Sequence, residues 1–181
     1  YATWYKSTHP APDLLEQAVY GLTELNREDI SSAKLIANPG CYPSSALLAL
    51  APLVQNGLIN PTVVVDSKSG ISGARRGASM ATNYSEVNEN VQAYGLDGHR
   101  HLPEIVQELR NMSPGFVPEV IFIPHLIPMT RGILSTCYVW PSDGEFNFGK
   151  NSQDTVIELY KDFYKNDAFV KVVTSPPQTK Q

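Results

Sequence analysis

The sequence is poor in cysteine, in basic charge and in long apolar runs, and each shortage excludes a class of protein. Its two cysteines lie 96 positions apart, so they do not form the framework of a small disulfide-rich secreted domain. Fourteen basic side chains against 18 acidic ones give a net charge of −4, which argues against nonspecific nucleic-acid binding. The longest apolar run, 46–54, is too short to span a bilayer, and the first residues lack the apolar centre of a signal peptide. We therefore expect a reducing, cytoplasmic setting and neither a nucleic-acid nor a membrane partner.

The remaining composition is that of a folded protein. Hydrophobic residues make up 42% of the 181 and charged residues 18%, which predicts a packed core. Periodicity and β-branched runs predict helices at 13–19, 27–32, 43–55, 103–112 and 152–165, and strands at 34–37, 62–68, 119–127, 132–140 and 168–173. Residues 84–94 lean towards strand. Pro52 predicts a kink or an early helix end, and Pro124 an edge, bulge or bend in its strand. The pattern indicates an α+β domain with helices on one face of a sheet.

The stretch NPGCYP, 38–43, places Cys41 between a short strand and the start of a helix. Free N–H groups and the helix dipole favour a thiolate there and lower the pKa of a thiol. Buried cysteines are more often small hydrophobic residues, and Cys137, in the apolar run ILSTCYVW, fits that description. Cys41 is therefore the candidate nucleophile.

The stretch GHRHLPEI places His101 at the start of a second helix. The dipole disfavours an imidazolium there, which leaves a neutral base near neutral pH. Glu104, in the first helical turn, either orients the imidazole or is an ordinary acid at a helix start. A thiolate and a neutral imidazole are the two groups that acyl transfer requires.

The other patterns in the sequence are weaker evidence for a function. The three histidines at 99, 101 and 125 lack metal-site spacing, so we expect no metal. The stretch 144–151 fits GxxxxGK, but Asn151 replaces the Ser or Thr that a phosphate loop needs. Arg75, Arg76 and Arg131 lie near glycine turns and suit phosphate or carboxylate, although Arg75 and Arg76 are equally consistent with solvated surface residues.

Four motifs taken together resemble one family. ANPGCYPSSALLALAPL, DSKSGISGARRGAS, AYGLDGHRHLPEI and HLIPMTRGILSTCYV occur in the order and at the approximate spacing of the N-acetyl-gamma-glutamyl-phosphate reductases of arginine biosynthesis, relatives of aspartate-semialdehyde dehydrogenase. The resemblance implies a mixed, largely antiparallel sheet of the glyceraldehyde-3-phosphate dehydrogenase-like C-terminal type. It also implies an NADP(H) cofactor, an acyl phosphate substrate and a homo-oligomer that forms through the sheet.

The same resemblance implies roles for single residues. Cys41 attacks the acyl phosphate to give a thioester, NADPH reduces it, and His101 serves as acid and base. Ser69, His99, Glu104 and Arg131 match positions near the substrate, with Arg131 for its carboxylate and Arg75 or Arg76 for its phosphate. Asn38 and Gly40 are weaker candidates for contact with the cofactor.

The sequence departs from the family in one respect. No GxxGxxG motif precedes Tyr1, so we expect residues 1–37 to be the last part of a dinucleotide-binding lobe whose remainder is missing, and 38–181 to be the catalytic and dimerisation domain. We also expect this chain not to reduce substrate alone. Two alternatives remain: a nucleotide-independent Cys-His hydrolase or acyltransferase, and a non-catalytic dimerisation module. An aminoadipyl substrate, one methylene longer, is not distinguished from the glutamyl one.

Overall fold

The structure, a computed structural model, describes residues 1–74, 83–142 and 152–180. Its helices are α1 (Ala2–Tyr5), α2 (Thr23–Ser32), α3 (Cys41–Gln55), α4 (Tyr84–Val87), α5 (Leu102–Met112) and α6 (Ser152–Phe163). Its strands are β1 (Val19–Tyr20), β2 (Ile36–Ala37), β3 (Ile59–Ser69), β4 (Gln92–Ala93), β5 (Glu119–Leu126) and β6 (Ile133–Pro141). Within those ranges no helix is both long and apolar enough to cross a membrane.

The main sheet has four strands in the order β4-β5-β3-β6. The central strand β3 pairs parallel with β5 and antiparallel with β6, and the short β4 pairs antiparallel with β5. The predicted α+β class with a mixed, largely antiparallel sheet is confirmed. Pro124 interrupts no register between β5 and β3, and its carbonyl accepts the N–H of Tyr94. A proline is tolerated there because only two residues of β4 pair with β5 on its other side.

The core lies between one face of this sheet and the helices α3 and α5. Alternate residues of β3, Val63 and Val65, are fully buried against Leu47 and Leu50 of α3 and Ile105 of α5. Each buried aliphatic side chain stabilises the fold by about 1.5–3 kcal/mol. This packing holds α3 and α5 side by side on one face of the sheet, so the N-terminal ends of both helices belong to the same domain.

Pro52 lies inside α3 without ending it, and the helix continues to Gln55. A proline has no N–H to donate to the carbonyl four residues earlier, here that of Leu48. The hydroxyl of Tyr164 donates to that carbonyl at 2.6 Å, and the hydroxyl of Tyr160 donates to the next one, at Ala49. Tyr164, which directly follows α6, thus donates to the carbonyl that Pro52 leaves without a partner.

A small β–α–β unit precedes the main domain. Strands β1 and β2 pair parallel, and α2 connects them. Asn26 interrupts the regular geometry of α2, with φ −131°, and its side-chain amide donates to the carbonyl of Tyr20 at 3.1 Å. Leu22, at the N-terminal end of α2, is buried in the core of the main domain.

The other face of the sheet is apolar and open. Ile121, Leu134, Tyr138 and Trp140 are at least one-third exposed there, and we call these four residues the open face. Val64 of β3 pairs with Ile121 on one side and Tyr138 on the other, which makes the patch continuous across three strands. Exposed apolar area of this kind on a sheet is typical of an interaction surface.

A polar cluster lies on the same face of the sheet as these four residues. Lys68 is ion-paired with Asp66, and Nδ1 of His125 lies 3.3 Å from the other carboxylate oxygen of Asp66. All three side chains are partly buried. The charges of Lys68 and Asp66 interrupt the apolar surface and so favour a defined arrangement for anything that covers it.

Two predicted elements are wrong. Residues 13–19 form a 3-10 turn at Pro12–Leu14 and then enter β1, because Leu14 and Leu15 are exposed and have no core surface to cover. Residues 168–173 form no strand, since no neighbouring strand pairs with them, and Phe169 is almost fully exposed. The weak strand prediction for 84–94 holds only for Gln92–Ala93, because 84–87 form α4.

Candidate active site

Cys41 is exposed and is the first residue of α3. The helix begins two residues earlier than predicted, with Gly40 as its N-cap residue, so Cys41 belongs to the first turn. The carbonyl of Gly40 accepts both the N–H and the hydroxyl of Ser44. Gly40 donates its N–H to Glu104 and Pro43 has none, so the N–H groups of Cys41 and Tyr42 are the ones left without a partner within the helix, beside the thiol.

Gly40 is required for space. A Cβ at this position would lie 2.7 Å from Nε2 of His101 and 2.9 Å from Oε2 of Glu104. Its φ of −67° is accessible to every residue, so conformational freedom is not the reason for a glycine. Both polar side chains of α5 therefore lie directly over the residue before Cys41.

His101 is the N-cap residue of α5 and is 8% exposed. Burial, and secondarily the charge of Arg100, lower the pKa of His101 to about 4, so its imidazole is neutral at neutral pH. The direction is the predicted one, but burial rather than the helix dipole is the main cause. Its Nδ1 is buried and has no hydrogen-bond partner among the described residues.

Glu104 makes no hydrogen bond to Nδ1 of His101 among the described residues. Its Oε1 accepts the backbone N–H of Gly40 at 2.8 Å and the hydroxyl of Tyr20 at 2.8 Å. The carboxylate therefore supports the backbone beside Cys41. Tyr20 was not predicted as a site residue, because only the tertiary fold brings it near residues 40 and 104.

An aromatic cluster surrounds His99. Its ring lies edge-on to Tyr42, Tyr94 and Phe122, with centroids 5.4–5.7 Å apart, and its Nδ1 accepts the backbone N–H of His101. Burial, followed by the charges of His101 and Arg100, lowers the pKa of His99 to about 4. The cluster holds a second neutral imidazole 4.8 Å from that of His101, measured between ring centroids.

Two tyrosine hydroxyls meet in this cluster. Those of Tyr42 and Tyr94 lie 2.7 Å apart. Burial raises the pKa of both, while hydrogen bonds with Tyr94 and Ser69 act in the opposite direction on Tyr42. Neither tyrosine was predicted as a site residue, although each lies within a quoted motif, in CYP and AYGLDGHRH.

The remaining predicted residues are distributed as follows. Ser69 ends β3, is nearly buried, and donates to the carbonyl of Gly70. Arg131 is exposed in the loop before β6, and its backbone packs against Gly70, where a Cβ would meet it at 2.8 Å. Asn38 is exposed, with only a 3.4 Å contact to the carbonyl of Pro39. Arg75, Arg76 and the stretch 144–151 lie outside the described residues.

Cys137 is less exposed than Cys41. It lies within β6 and packs against the core. Burial raises the pKa of its thiol to about 11. Within the part of the chain that the structure describes, no three His, Cys, Asp or Glu side chains are grouped as metal ligands are.

The chain belongs to the semialdehyde dehydrogenase family, whose dimerisation-domain model matches residues 41–181. The resemblance drawn from the four motifs is also confirmed by curated relatives. The chain is 49% identical over 180 residues to the N-acetyl-gamma-glutamyl-phosphate reductase of Dehalococcoides mccartyi strain CBDB1, covering 99% of this chain and 51% of the relative. To that of Geotalea daltonii it is 51% identical, covering 96% and 48%. The chain thus spans about half the length of the curated relatives it matches.

Solved structures agree on the fold. Aspartate semialdehyde dehydrogenase II from Vibrio cholerae is similar with a TM-score of 0.58 at 16% identity, over 80% of this chain and 48% of that one. Its complex with ASA gives a TM-score of 0.59 at 15% identity, over 86% and 51%. At such identities the likeness establishes the architecture alone.

Proposed function

We propose that this chain is the catalytic and dimerisation part of an NADPH-dependent N-acetyl-gamma-glutamyl-phosphate reductase. Residues 38–181 form that part, and 1–37, with their β–α–β unit, are the end of a dinucleotide-binding lobe. The observation that carries the proposal is the position of Cys41, exposed at a helix start next to Gly40, over which the neutral His101 is packed. The substrate class is inferred from the named relatives, which are 49% and 51% identical in sequence.

The first step is acylation of Cys41. His101 accepts the thiol proton, since its lowered pKa leaves the imidazole unprotonated at neutral pH. The thiolate attacks the carbonyl carbon of the acyl phosphate, an S–C bond forms, and the C–O bond to phosphate breaks with its electron pair on the phosphate. Free N–H groups at the start of α3 stabilise the oxyanion that develops during the attack.

The second step is reduction. When bound, NADPH would supply the hydride that the thioester carbon accepts. His101 holds the proton taken from Cys41, delivers it to the resulting oxyanion and recovers it as the C–S bond breaks, which releases the semialdehyde and the thiolate. Of the two residues expected at the cofactor, Asn38 fits because its amide is exposed, whereas Gly40 does not, because His101 and Glu104 occupy the space above it.

Substrate contacts follow from charge. Arg131 is exposed and suits the substrate carboxylate, and Arg75 or Arg76 suits the phosphate. Ser69 and His99 lie in contact with the tyrosine cluster beside Cys41 and are assigned to the substrate pocket. Glu104, predicted near the substrate, is also assigned to support of the Gly40 backbone, since its Oε1 accepts hydrogen bonds from Gly40 and Tyr20.

The open face of the sheet is the proposed surface for a second copy. The family model that matches residues 41–181 describes a dimerisation domain, and the open face lies within that range. A homo-oligomer formed there buries the exposed apolar side chains of β5 and β6. We place the enzyme in the cytoplasm, where its thiol stays reduced.

The test is acylation in the absence of nucleotide. The chain is mixed with N-acetyl-gamma-glutamyl phosphate, released phosphate is measured, and the acyl group is located by peptide mass. We expect one phosphate per chain, with the acyl group on Cys41, loss of both signals in Cys41→Ser, and neither loss in Cys137→Ser. Acylation elsewhere, or none with a folded chain, contradicts the proposal.

A second arm separates the competing functions. Addition of NADPH is expected to give no turnover with this chain, which spans about half the length of the curated reductases it matches. Repeated phosphate release without NADPH would instead indicate a Cys-His hydrolase. The aminoadipyl analogue in the same assay measures discrimination by one methylene, which is worth about 1–3 kcal/mol.

A further inference from the structure

A bridge of two hydrogen bonds connects three segments of the chain at the start of α3. Oε1 of Glu104, in α5, accepts from the N–H of Gly40 and from the hydroxyl of Tyr20, each at 2.8 Å. Tyr20 ends β1, so its hydroxyl comes from the β–α–β unit and not from the main sheet. The unit is therefore linked to the residue before Cys41 through a single carboxylate.

Tyr20 is itself held in place. Its ring packs against the core, and its carbonyl accepts the side-chain amide of Asn26. Burial, and secondarily the hydrogen bond with Glu104, raises the pKa of Tyr20. The hydroxyl therefore keeps its proton at every working pH and remains a donor to the carboxylate.

We propose that Tyr20 is a positioning residue for Cys41: it holds the Glu104 carboxylate on the Gly40 N–H and so fixes the first turn of α3. The inference rests on the proposed function for the role of Cys41 as nucleophile. Loss of the hydroxyl releases one end of the bridge, the turn loosens, and the free N–H groups near the thiol lose their fixed direction. A thiolate then gains less from them.

The test is the pH dependence of Cys41 alkylation by iodoacetamide in the whole chain, read by peptide mass. Tyr20→Phe keeps the ring and removes only the hydroxyl. We expect alkylation about threefold to tenfold slower at about pH 7, because one hydrogen bond contributes roughly 0.5–1.5 kcal/mol. At about pH 10, above the ordinary range of thiol ionisation, the rates should converge to within about twofold. Tyr84→Phe, at an exposed tyrosine, is the matched control and should follow the parent at both pH values.

Hydrogen exchange of the Gly40 amide gives a second readout. We expect it to accelerate in Tyr20→Phe and in Glu104→Ala, and to remain slow in Glu104→Gln, whose amide oxygen still accepts from both donors. An unchanged alkylation profile, or an equal loss of rate at both pH values, overturns the proposal. Neither reagent nor readout involves an acyl phosphate, so failure of the proposed reductase chemistry would be seen separately, in the acylation assay.

Discussion

Nε2 of His101 lies 2.7 Å from the point that a Cβ on Gly40 would occupy. Gly40→Ala therefore has to displace the imidazole or the Glu104 carboxylate. We expect a loss of about 1–3 kcal/mol in the free energy of unfolding, as for other overpacked sites, together with a strong loss of Cys41 acylation. Urea unfolding and phosphate release measure the two effects.

Gly57→Ala is the contrasting control for that prediction. Its φ is +64° and nothing lies within 4 Å of its Cβ position, so the substitution introduces backbone strain without a clash. We expect about 1–2 kcal/mol of destabilisation and normal acylation of Cys41 in the folded protein. Equal loss of acylation in both variants would mean that crowding at Gly40 is not the cause.

The two thiols are expected to react at very different rates. Cys41 is exposed, whereas burial raises the pKa of Cys137 to about 11. At about pH 8 only about one Cys137 in a thousand is a thiolate, since each pH unit changes the ratio tenfold. Iodoacetamide should therefore label Cys41 at least about 100-fold faster, as measured by the masses of the two cysteine peptides. The prediction is contradicted if Cys137 in the native protein is labelled as fast as in urea, at a rate comparable to that of Cys41.

The elements that were predicted correctly have a local sequence pattern, and in the fold they pack against a neighbouring strand or helix. Helix 43–55 and strands 62–68 and 119–127 were found because apolar periodicity or β-branched composition matches a buried face. Residues 168–173 have the same β-branched composition but no strand beside them, and strand propensity depends on such pairing. The strand predicted at 168–173 was therefore wrong because β-branched composition alone does not form a strand without a neighbouring strand.

The candidate site was only partly predictable for a similar reason. Cys41 and His101 each follow from a helix start, which is written in a few consecutive residues. Tyr20 and Glu104 are 84 positions apart in sequence, and no local signal indicates that their side chains meet. The cause of the pKa shift at His101 was also hidden, because burial depends on the packed fold.

Tyr164 supplies the donor that Pro52 removes from α3. Tyr164→Phe leaves the Leu48 carbonyl without the hydroxyl that bonds it at 2.6 Å. We expect the free energy of unfolding to fall by about 0.5–1.5 kcal/mol, the usual net contribution of one hydrogen bond, since this one is partly buried. Urea denaturation measures the change, and Tyr84→Phe, at an exposed position, should differ from the parent by less than about 0.5 kcal/mol. A neutral Tyr164→Phe would mean that water replaces the hydroxyl.

Mild acid should destabilise the folded chain through the imidazoles of His99 and His101. The pKa values of His99 and His101 are both lowered to about 4, below the unfolded value of about 6.5. As the pH falls, the unfolded state takes up these protons first, so the stabilisation is complete above about pH 6.5 and is lost towards about pH 4. Urea midpoints between about pH 7 and pH 5 measure the slope, before most carboxylates titrate.

Substitution separates the imidazoles from other titrating groups in that experiment. His101→Gln removes one of the two proton-binding sites, so its urea midpoint should fall less steeply with pH than that of the parent. Tyr84→Phe, which removes no imidazole, should leave the slope unchanged. A parent midpoint that does not change between about pH 7 and pH 5 would show that the two histidines are accessible to protons in the folded state.

The open face of the sheet predicts that assembly depends on Ile121. This side chain is 53% exposed in the isolated chain and adjoins Val64 and Tyr138, so a charge there disrupts an apolar contact across three strands. Ile121→Lys should dissociate the oligomer, with at least a tenfold weaker association in sedimentation equilibrium, because a buried unpaired ammonium is costly. Val117→Lys is the matched control: Val117 is 61% exposed but precedes β5 and lies off the face, so assembly should persist. Equal loss in both variants, or a parent chain that is monomeric at about 100 μM, would show that the open face does not pair with a second copy. Cys41→Ser should leave assembly unchanged, because the thiol lies on α3, on the opposite side of the sheet from this surface.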